Sequence, residues 1–307
     1  MNVILSGESG FVGQNLKAYL RDNSDINLKY LKRVSNASSE DLTWENLGMI
    51  SHTDAIIHLA GKAHDLANTA QPEEYYEVNF ELTKRLYKVF LMSDAKKFIF
   101  LSSVKAAANK VEGELTEEVK PMPVGHYGKS KLMAEEYIMN EKLPPGKSYH
   151  ILRPCMIHGP GNKGNLNLLY KLFILKRIPY PLAAFDNRRS FLSVENLCFT
   201  IKELLDRNDI PQGVYNIADS ESLSTTEVIT LLSLSTGIKP LFLNIPRGII
   251  KFVSEIGDLF KLGLGSQNFE KLTENYVVSN QKIKQSLNKE LPVSARDGIL
   301  KTGQSFR

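Results

Sequence analysis

Short apolar runs alternate with amphipathic stretches along the first half of the chain. A continuous apolar run is typical of a strand buried on both faces, whereas apolar positions three and four residues apart are typical of a helix. The runs predict strands at Val3–Leu5, Leu28–Leu31, Asp54–Ala60, Lys97–Leu101 and Tyr149–Leu152. The helical spacing predicts helices at Phe11–Leu20, Tyr75–Met92 and Tyr127–Glu141. This order predicts an α/β fold with a doubly wound parallel sheet, whose ligands bind at the carboxyl ends of the strands.

The alternation is lost after Gly159-Pro160-Gly161, where the chain changes character. The pattern then predicts a helix at Leu166–Leu175, a basic and then apolar stretch at Arg188–Leu192, and a strand at Val214–Ala218 that returns to the sheet. Sequence from about residue 220 onward is mostly helical in pattern.

This change divides the chain into two expected domains. Residues 1–158, with returning segments at about 191–219, are expected to form the sheet domain. Residues of about 159–190 and 220–307 are expected to form a smaller, mainly helical domain. The amphipathic stretch Ile249–Leu262 is interpreted as a packed helix of that second domain, and a membrane-surface helix is the alternative.

Composition indicates an ordinary globular chain with a large core. The chain has 307 residues, of which 42% are hydrophobic and 23% charged. The net charge is only +4, and this basic excess fits an anionic small molecule as easily as a nucleic acid. No Lys/Arg cluster has the density of a nucleic-acid binder, so we expect no nucleic-acid partner. Cys155 and Cys198 show neither disulfide nor zinc spacing, and we expect buried free thiols and no metal. The chain shows no signal peptide and no apolar run long enough to span a membrane, so we expect a cytoplasmic protein.

A glycine-rich turn follows the first predicted strand and opens the first predicted helix. The sequence GESGFVG places glycines with the spacing G-x-x-G-x-x-G. Such glycines allow a tight turn and a close approach of the backbone to a pyrophosphate, whose charge the helix N-terminus attracts. A purely structural glycine turn is the alternative. We expect this turn to bind a dinucleotide through Gly7, Gly10, Phe11, Val12 and Gly13.

The residues after the second predicted strand bear on which dinucleotide binds. A carboxylate there accepts a hydrogen bond from the ribose 2′-OH of NAD, whereas an arginine accommodates the 2′-phosphate of NADP. Here the strand ends in Leu31-Lys32-Arg33, and Arg33, helped by Lys32, can hold a phosphate. The pair therefore favours NADP over NAD, with a solvated basic pair on a loop as the alternative. Glu8 departs from the small residues usual in the turn, because its charge is unfavourable beside phosphates unless it points to solvent.

Tyr127 and Lys131 lie four residues apart in YGKSK, so they share one face of the predicted helix. An ammonium near a phenol lowers the phenol pKa from about 10, and so does a positive nicotinamide ring, which suits the tyrosine to acid–base chemistry. Ser103 follows the strand KFIFL, where its hydroxyl can bind the reacting oxygen and steady the tyrosine. A surface Tyr and Lys would explain the spacing in isolation. The glycine turn, the serine and the pair in this order favour catalysis.

These motifs together resemble the extended short-chain dehydrogenases, and in particular the NAD(P)-dependent nucleotide-sugar epimerase/dehydratase family. The resemblance runs nearly end to end, through GESGFVG, HLAGKAH, YYEVNFELTKRL, FLSSVK, YGKSK, RPCMIHGPG and RRSFLSVENL. It implies a Rossmann domain that binds NADP or NAD and a smaller domain that binds a nucleotide-linked sugar, with UDP the favoured nucleotide. Many relatives dimerise through two helices of each subunit, so a homodimer that uses the Tyr127 helix is a candidate assembly.

The resemblance also implies roles for individual residues. The catalytic positions are Ser103, Tyr127 and Lys131. The cofactor positions include the glycine turn, Lys32, Arg33, Tyr127 and Lys131. Five further cofactor positions are Asp41, Leu59, Ala60, Gly61 and Asn79. The substrate positions are Ser103, Lys105, Asn165 and Arg189. Arg189 suits a diphosphate because a guanidinium donates two hydrogen bonds in a fixed geometry, and surface charge is the alternative for Arg188-Arg189.

The residues after the catalytic serine exclude one reaction of this family. Dehydratases that the chain resembles carry an Asp-Glu pair directly after the catalytic hydroxyl, and the residues here are Val104-Lys105-Ala106. None of these can perform carboxyl chemistry, so we exclude dehydration. Epimerases acting at C3 and C5 need a second acid–base residue, often cysteine. Cys155 follows a strand and is interpreted as a packing residue.

Reduction of a 4-keto sugar and 4-epimerisation remain as candidate reactions. The Lys32-Arg33 pair favours a reductase that exchanges NADPH, whereas an epimerase must hold NAD firmly. SSVKAAANKVEGELTEE and IPRGIIKFVSEIGDLF resemble a bacterial subgroup that includes 4-keto reductases for UDP-linked 2-acetamido-2,6-dideoxyhexoses of surface polysaccharides. We therefore expect a 4-keto reductase of a UDP-(N-acetyl)-6-deoxyhexose, with a UDP-glucose 4-epimerase-like enzyme as the alternative. A cofactor-binding regulator without chemistry is a remote alternative, because such proteins usually lack the Tyr/Lys pair.

Overall fold

A six-stranded parallel sheet forms the centre of the computed structural model, which describes residues 1–33, 42–50, 52–62, 71–162, 164–249 and 273–306. Its strands are β1 (Asn2–Ser6), β2 (Asn27–Leu31), β3 (Ala55–His58), β4 (Lys97–Leu101), β6 (Ser148–Pro154) and β9 (Gly213–Ile217). Their order across the sheet is β2-β1-β3-β4-β6-β9, and all neighbours pair in parallel. Asp41 and residues 250–262 of the predicted amphipathic helix lie outside the described residues.

Helices cover both faces of the sheet, as the doubly wound prediction requires. On one face Ile57, Ile99 and Leu152 pack with side chains of α1 (Phe11–Leu20) and α6 (Val194–Asp206). The opposite face packs against α3 (Leu82–Met92) and α4 (His126–Asn140) through side chains such as Ile56, Phe98, Phe100 and Ile151. The predicted Rossmann-like α/β fold is therefore confirmed.

The chain passes from β1 to β2 on one side and then to β3 on the other side of β1. This reversal creates a crevice outside the carboxyl ends of β1 and β3, which is where ligands of such sheets bind. The predicted glycine turn and the HLAG sequence follow these two strands.

The helix predicted at Tyr75–Met92 is interrupted. It consists of α2 (Pro72–Tyr76), a π-helical segment at Glu77–Glu81, and α3. A π-helical segment accommodates an extra residue per turn and often occurs at functional sites. Asn79, in its middle, is fully buried.

The second half adds short elements beside the central sheet. Three strands form a small sheet, namely β7 (Met156–His158), β8 (Arg189–Ser193) and β10 (Ser222–Leu223), and β5 (Glu114–Leu115) pairs with β11 (Val277–Val278). The helices here are α5 (Asn165–Leu169), extended by a π-helical segment at Tyr170–Leu175, α7 (Thr225–Leu234), α8 (Gln281–Leu287) and α9 (Ala295–Gln304). The expectation of mostly helical sequence after residue 220 missed two strands, because two residues are too few to show an alternating pattern. Within the described ranges, no helix combines the length and apolar character needed to cross a bilayer.

Candidate active site

A groove of about 430 Å³ lies at the carboxyl ends of β1, β2 and β3. It contains much of the predicted cofactor set together with Trp44. The lining residues are Gly7, Glu8, Ser9, Gly10, Leu31, Lys32, Arg33, Trp44, Leu59, Ala60 and Gly61. The glycine turn and the end of β2, which are about 20 residues apart in sequence, therefore face one space.

Glycine is required in the turn because backbone atoms of two strands meet there. Gly7 has φ +80°, and a Cβ on it would lie 2.6 Å from the backbone nitrogen of Ala60. A Cβ on Gly13 would lie 2.2 Å from the carbonyl oxygen of Gly7. The floor of the groove is therefore formed by backbone atoms. The first N–H groups of α1 have no acceptor within the helix, so they are available to an anion. These features fit the diphosphate of a dinucleotide.

Lys32 and Arg33 both line the groove where β2 ends. The backbone N–H of Lys32 donates to the carbonyl of Leu42 at 2.9 Å, which fixes this end of the strand. Lys32 is half-buried and Arg33 is exposed. A ribose 2′-phosphate at this point would meet two cations. Glu8, which stands where small residues are usual in such a turn, lines the same groove and therefore lies near the expected diphosphate.

A buried polar chain runs beneath the groove. Ser6 Oγ is hydrogen-bonded to His58 Nδ1 at 2.6 Å, and His58 Nε2 to Thr83 Oγ1 at 2.9 Å. Ser6 Oγ also accepts from the N–H of Ala60 at 3.3 Å. Burial, and secondarily the charge of Lys131, lower the pKa of His58 to about 3, so this histidine is neutral at physiological pH. Sequence reasoning missed it, although its place at the end of a buried strand in HLAG was a signal.

Asn79 connects the groove to the catalytic helix. Its Oδ1 accepts from the N–H of Lys62 at 2.8 Å, and its Nδ2 donates to Ser130 Oγ at 3.0 Å. Gly61 lies beside it: a Cβ there would be 3.0 Å from both Asn79 Oδ1 and Lys131 Nζ. The predicted cofactor positions Gly61 and Asn79 are therefore close to the predicted catalytic lysine.

The predicted catalytic side chains meet where α4 begins against the end of β4. The hydroxyl of Tyr127 is hydrogen-bonded to the side chain of Ser103. Lys131 is buried, and its Nζ donates to the carbonyl of Leu101 at 2.9 Å. Gly128 allows this close approach of helix to loop, because a Cβ there would lie 2.4 Å from the carbonyl oxygen of Lys105. The structure therefore brings the trio together.

The pKa of Tyr127 differs from the sequence expectation. Burial raises it above that of a free tyrosine, and the hydrogen bond from Ser103 only partly opposes this effect. In the chain alone the net shift is opposite to the predicted lowering, because desolvation of the phenolate dominates. Burial lowers the pKa of Lys131 to about 8, against the opposing charge of Glu135. Tyr127 is therefore a protonated phenol at neutral pH.

Two of the predicted substrate residues converge on Tyr276. The ammonium of Lys105 lies 4.4 Å from the centre of the Tyr276 ring. Arg189 forms an isolated parallel bridge with Tyr276, and burial lowers its pKa, opposed first by the nearby Glu274. Tyr276 itself is buried and donates to the carbonyl of Ala108 at 2.7 Å. Sequence reasoning missed Tyr276, which lies far along the chain from the motifs.

Asn165, the remaining predicted substrate residue, stands apart from this group. It is exposed at the first position of α5. No hydrogen bond joins it to Lys105, Arg189 or Tyr276 within the described ranges.

Both cysteines are buried and unbonded. Burial raises the pKa of Cys155 well above the usual value of a thiol and that of Cys198 to about 12. Neither thiol is suited to acid–base chemistry at neutral pH, which agrees with the interpretation of Cys155 as a packing residue.

Known proteins resemble this chain over three quarters of its length or more. UDP-glucose 4-epimerase of Vibrio cholerae is 29% identical over 322 residues, covering 99% of this chain and 95% of that protein. GDP-6-deoxy-D-mannose reductase of Pseudomonas aeruginosa is 26% identical over 245 residues, covering 75% of this chain and 79% of that protein. The crystal structure of UDP-N-acetylglucosamine 4-epimerase from Bacillus cereus matches with a TM-score of 0.76 at 18% identity, covering 99% of this chain and 98% of that chain. This last similarity is one of fold.

A sequence profile of one family matches residues 3–218, a span that includes the glycine turn and the catalytic trio. That family is described as the NAD dependent epimerase/dehydratase family. The match covers well over half of the chain. Together with the fold and the arrangement of the site, it establishes that the chain belongs to the NAD dependent epimerase/dehydratase family, whose cofactor is a nicotinamide dinucleotide.

Proposed function

We propose that the protein is an NADPH-dependent reductase acting at C4 of a nucleotide-linked 4-keto sugar, of the UDP-(N-acetyl)-6-deoxyhexose class. The observation that carries the proposal is the placement of Lys32 and Arg33 in the groove at the end of β2. Two cations there suit a 2′-phosphate, and NADPH exchanges with each turnover of a reductase.

When bound, the cofactor supplies the hydride that adds to C4. Tyr127 holds the proton that the C4 oxygen must receive, and the raised pKa of its phenol keeps that proton in place until the oxygen becomes basic. In this proposal the single hydroxyl proton of Ser103 turns from Tyr127 to the same C4 oxygen when the substrate binds. Lys131 carries positive charge below a pH of about 8 and stabilises the phenolate that remains after proton transfer.

The diphosphate of the substrate is assigned to the Lys105 and Arg189 side of the site. Arg189 offers a planar group with several donors, and its partial burial strengthens interactions with an anion. The ring of Tyr276 supports Lys105 from below. Residues of about 159–190 and 220–307 form the corresponding substrate domain in this proposal.

A 4-epimerase is the second candidate, favoured by the nearly full-length similarity to the UDP-glucose 4-epimerase of Vibrio cholerae. An epimerase begins by removing a proton from the C4 hydroxyl, so its tyrosine must start as a base. In the chain alone burial raises the pKa of Tyr127, and the positive nicotinamide ring of a bound NAD would oppose that shift.

The test runs two reactions in parallel, one for each candidate function. A UDP-linked 4-keto-6-deoxy-N-acetylhexose is mixed with NADPH and protein, and we expect one NADPH to be oxidised for each sugar reduced. UDP-glucose and UDP-N-acetylglucosamine are incubated with NAD, and we expect no C4 epimer by chromatography. Epimer formation without net cofactor consumption would replace the reductase by the second candidate.

A further inference from the structure

Two stretches of chain, residues 168–178 and 239–249, present large apolar side chains to solvent. Leu175, Leu241 and Leu243 are 53%, 43% and 46% exposed. Transfer of such side chains out of water is favourable, so a group of them marks a surface that another body covers. We refer to the exposed side chains of these two stretches as the basic apolar face.

Backbone hydrogen bonds hold the two stretches side by side. Tyr180, just after the first stretch, donates its N–H to the carbonyl of Leu241 at 2.8 Å and accepts from the N–H of Leu243 at 2.9 Å. Beneath them, Tyr180, Leu182 and Ile229 form a small buried cluster. The apolar side chains therefore project from a packed support.

The same two stretches contain cations and no carboxylate. Their five cations, all exposed, are Lys171, Lys176, Arg177, Lys239 and Arg247. None forms an ion pair with the described part of the chain. Asp186, the first carboxylate after residues 168–178, is itself 3.7 Å from Arg188. The face therefore combines apolar surface with a concentrated positive charge.

An anionic lipid bilayer matches both properties. Anionic headgroups attract Lys and Arg near the membrane surface, while leucine and isoleucine enter the interface below them. A second copy of this chain matches less well, because a two-fold contact through this face would place its cations against the same cations of the partner. We propose that the basic apolar face docks the protein on an anionic membrane surface.

Docking of this kind is peripheral and needs no spanning helix. The first stretch continues α5, which begins at the predicted substrate residue Asn165. The proposal concerns binding alone and does not depend on the reaction proposed above.

The test is cosedimentation of the full chain with lipid vesicles. We expect binding to vesicles of mixed phosphatidylglycerol and phosphatidylcholine, much weaker binding to pure phosphatidylcholine, and a loss of binding as salt is raised, because salt screens the charges. Absence of sedimentation with the anionic vesicles at low salt would overturn the proposal.

Two double variants locate the binding surface. Lys176→Glu/Arg177→Glu and Leu175→Glu/Leu241→Glu are each expected to weaken vesicle binding by at least about tenfold. The control for the first is Lys120→Glu/Lys142→Glu, which makes the same charge change at exposed sites elsewhere. The control for the second is Met92→Glu/Val119→Glu, at exposed apolar residues outside the face. Both controls are expected to bind nearly as the wild type does.

An equal loss in variants and controls would show that net charge, rather than this face, governs binding, and would overturn the proposal. Light scattering over a range of protein concentrations tests whether a second copy of this chain covers the face. If the protein does not bind vesicles but associates with itself, and Leu175→Glu/Leu241→Glu abolishes that association, the face would be assigned to a second copy instead. Circular dichroism of each variant establishes that the fold is retained.

Discussion

Tyr127 illustrates how burial shifts the pKa of a predicted catalytic side chain. Its phenolate would be desolvated, so the pKa rises even though Ser103 donates a hydrogen bond to it. The sequence spacing predicted the pair with Lys131 but not this balance, because the strength of desolvation depends on neighbours such as Tyr75, whose ring packs edge-on against Tyr127 at 6.3 Å.

Replacement of Tyr127 by phenylalanine removes the proton donor while keeping the ring. We expect turnover to fall by about 10²–10⁴-fold with cofactor affinity nearly unchanged, as measured by NADPH oxidation and by binding titration. Tyr76→Phe is the matched control, since that hydroxyl bonds His126 in the neighbouring helix and is outside the trio. Unchanged turnover in Tyr127→Phe would remove this residue from the mechanism.

Lys131 is expected to set the alkaline limit of activity. Its pKa is lowered to about 8, so the ammonium is present below that pH and is lost as the pH rises through it. We therefore expect kcat/KM for the keto sugar to decline above a pH of about 8. The decline should move to higher pH in Lys131→Arg, because a guanidinium stays protonated, and should stay in place in the control Lys129→Arg at the exposed neighbour. A flat profile through this range would contradict the assignment.

Arg33 is expected to decide between the two cofactors. Loss of a charge-assisted hydrogen bond in Arg33→Ala should weaken NADPH binding by about ten- to a hundredfold, while NADH binding changes little. Trp44, the only tryptophan of the sequence, lines the same groove, so its fluorescence reports the titration. Lys29→Ala, an equal loss of charge at an exposed residue of β2, serves as the control. Equal weakening of both cofactors would mean that Arg33 does not contact the 2′-phosphate.

At the scale of elements, a buried ion pair joins β6 to the two segments that carry the catalytic trio, α4 and the end of β4. Glu135 of α4 accepts from the guanidinium of Arg153 on β6 at 2.5 Å and from the hydroxyl of Ser102, the residue before Ser103. Both charged side chains are almost completely buried. The helix with Tyr127 and Lys131 is thereby fixed to the end of β4.

Removal of one charge from this pair should destabilise the folded protein. Glu135→Gln leaves Arg153 buried without its counter-ion, and we expect the free energy of unfolding to fall by about 3–5 kcal/mol. Denaturant unfolding measures this change. Glu136→Gln, at the exposed next position of α4, should change it by no more than about 0.5 kcal/mol. A similar small change in Glu135→Gln would show that the pair is not needed to hold α4.

The elements differ in how far the sequence could predict them. The buried strands were predicted because short continuous apolar runs such as KFIFL are typical of strands covered on both faces. Helix α4 was predicted because its buried residues recur with helical spacing. The π-helical segment at Glu77–Glu81 was missed, since its apolar spacing is close to that of an α-helix. Strands β10 and β11 depend on partners distant in sequence and have no local pattern.

At the scale of the whole molecule, the site is assembled from sequence-distant segments. The glycine turn, Ser103 and the groove residues follow strands whose carboxyl ends meet at one edge, so the sheet prediction already placed them together. The polar chain from Ser6 to Thr83 and the support of Lys105 by Tyr276 depend on side-chain geometry. No pattern along the chain contains that geometry.

The central claim, an exchanging reductase, is tested most directly by the nucleotide that the purified protein carries. The fresh protein is denatured, any released nucleotide is identified by mass spectrometry, and the emptied protein is titrated with NADPH and NADH through Trp44 fluorescence. We expect no stoichiometric nucleotide and tighter binding of NADPH than of NADH. Stoichiometric NAD that survives purification, with no preference for NADPH, would contradict the account and favour a 4-epimerase.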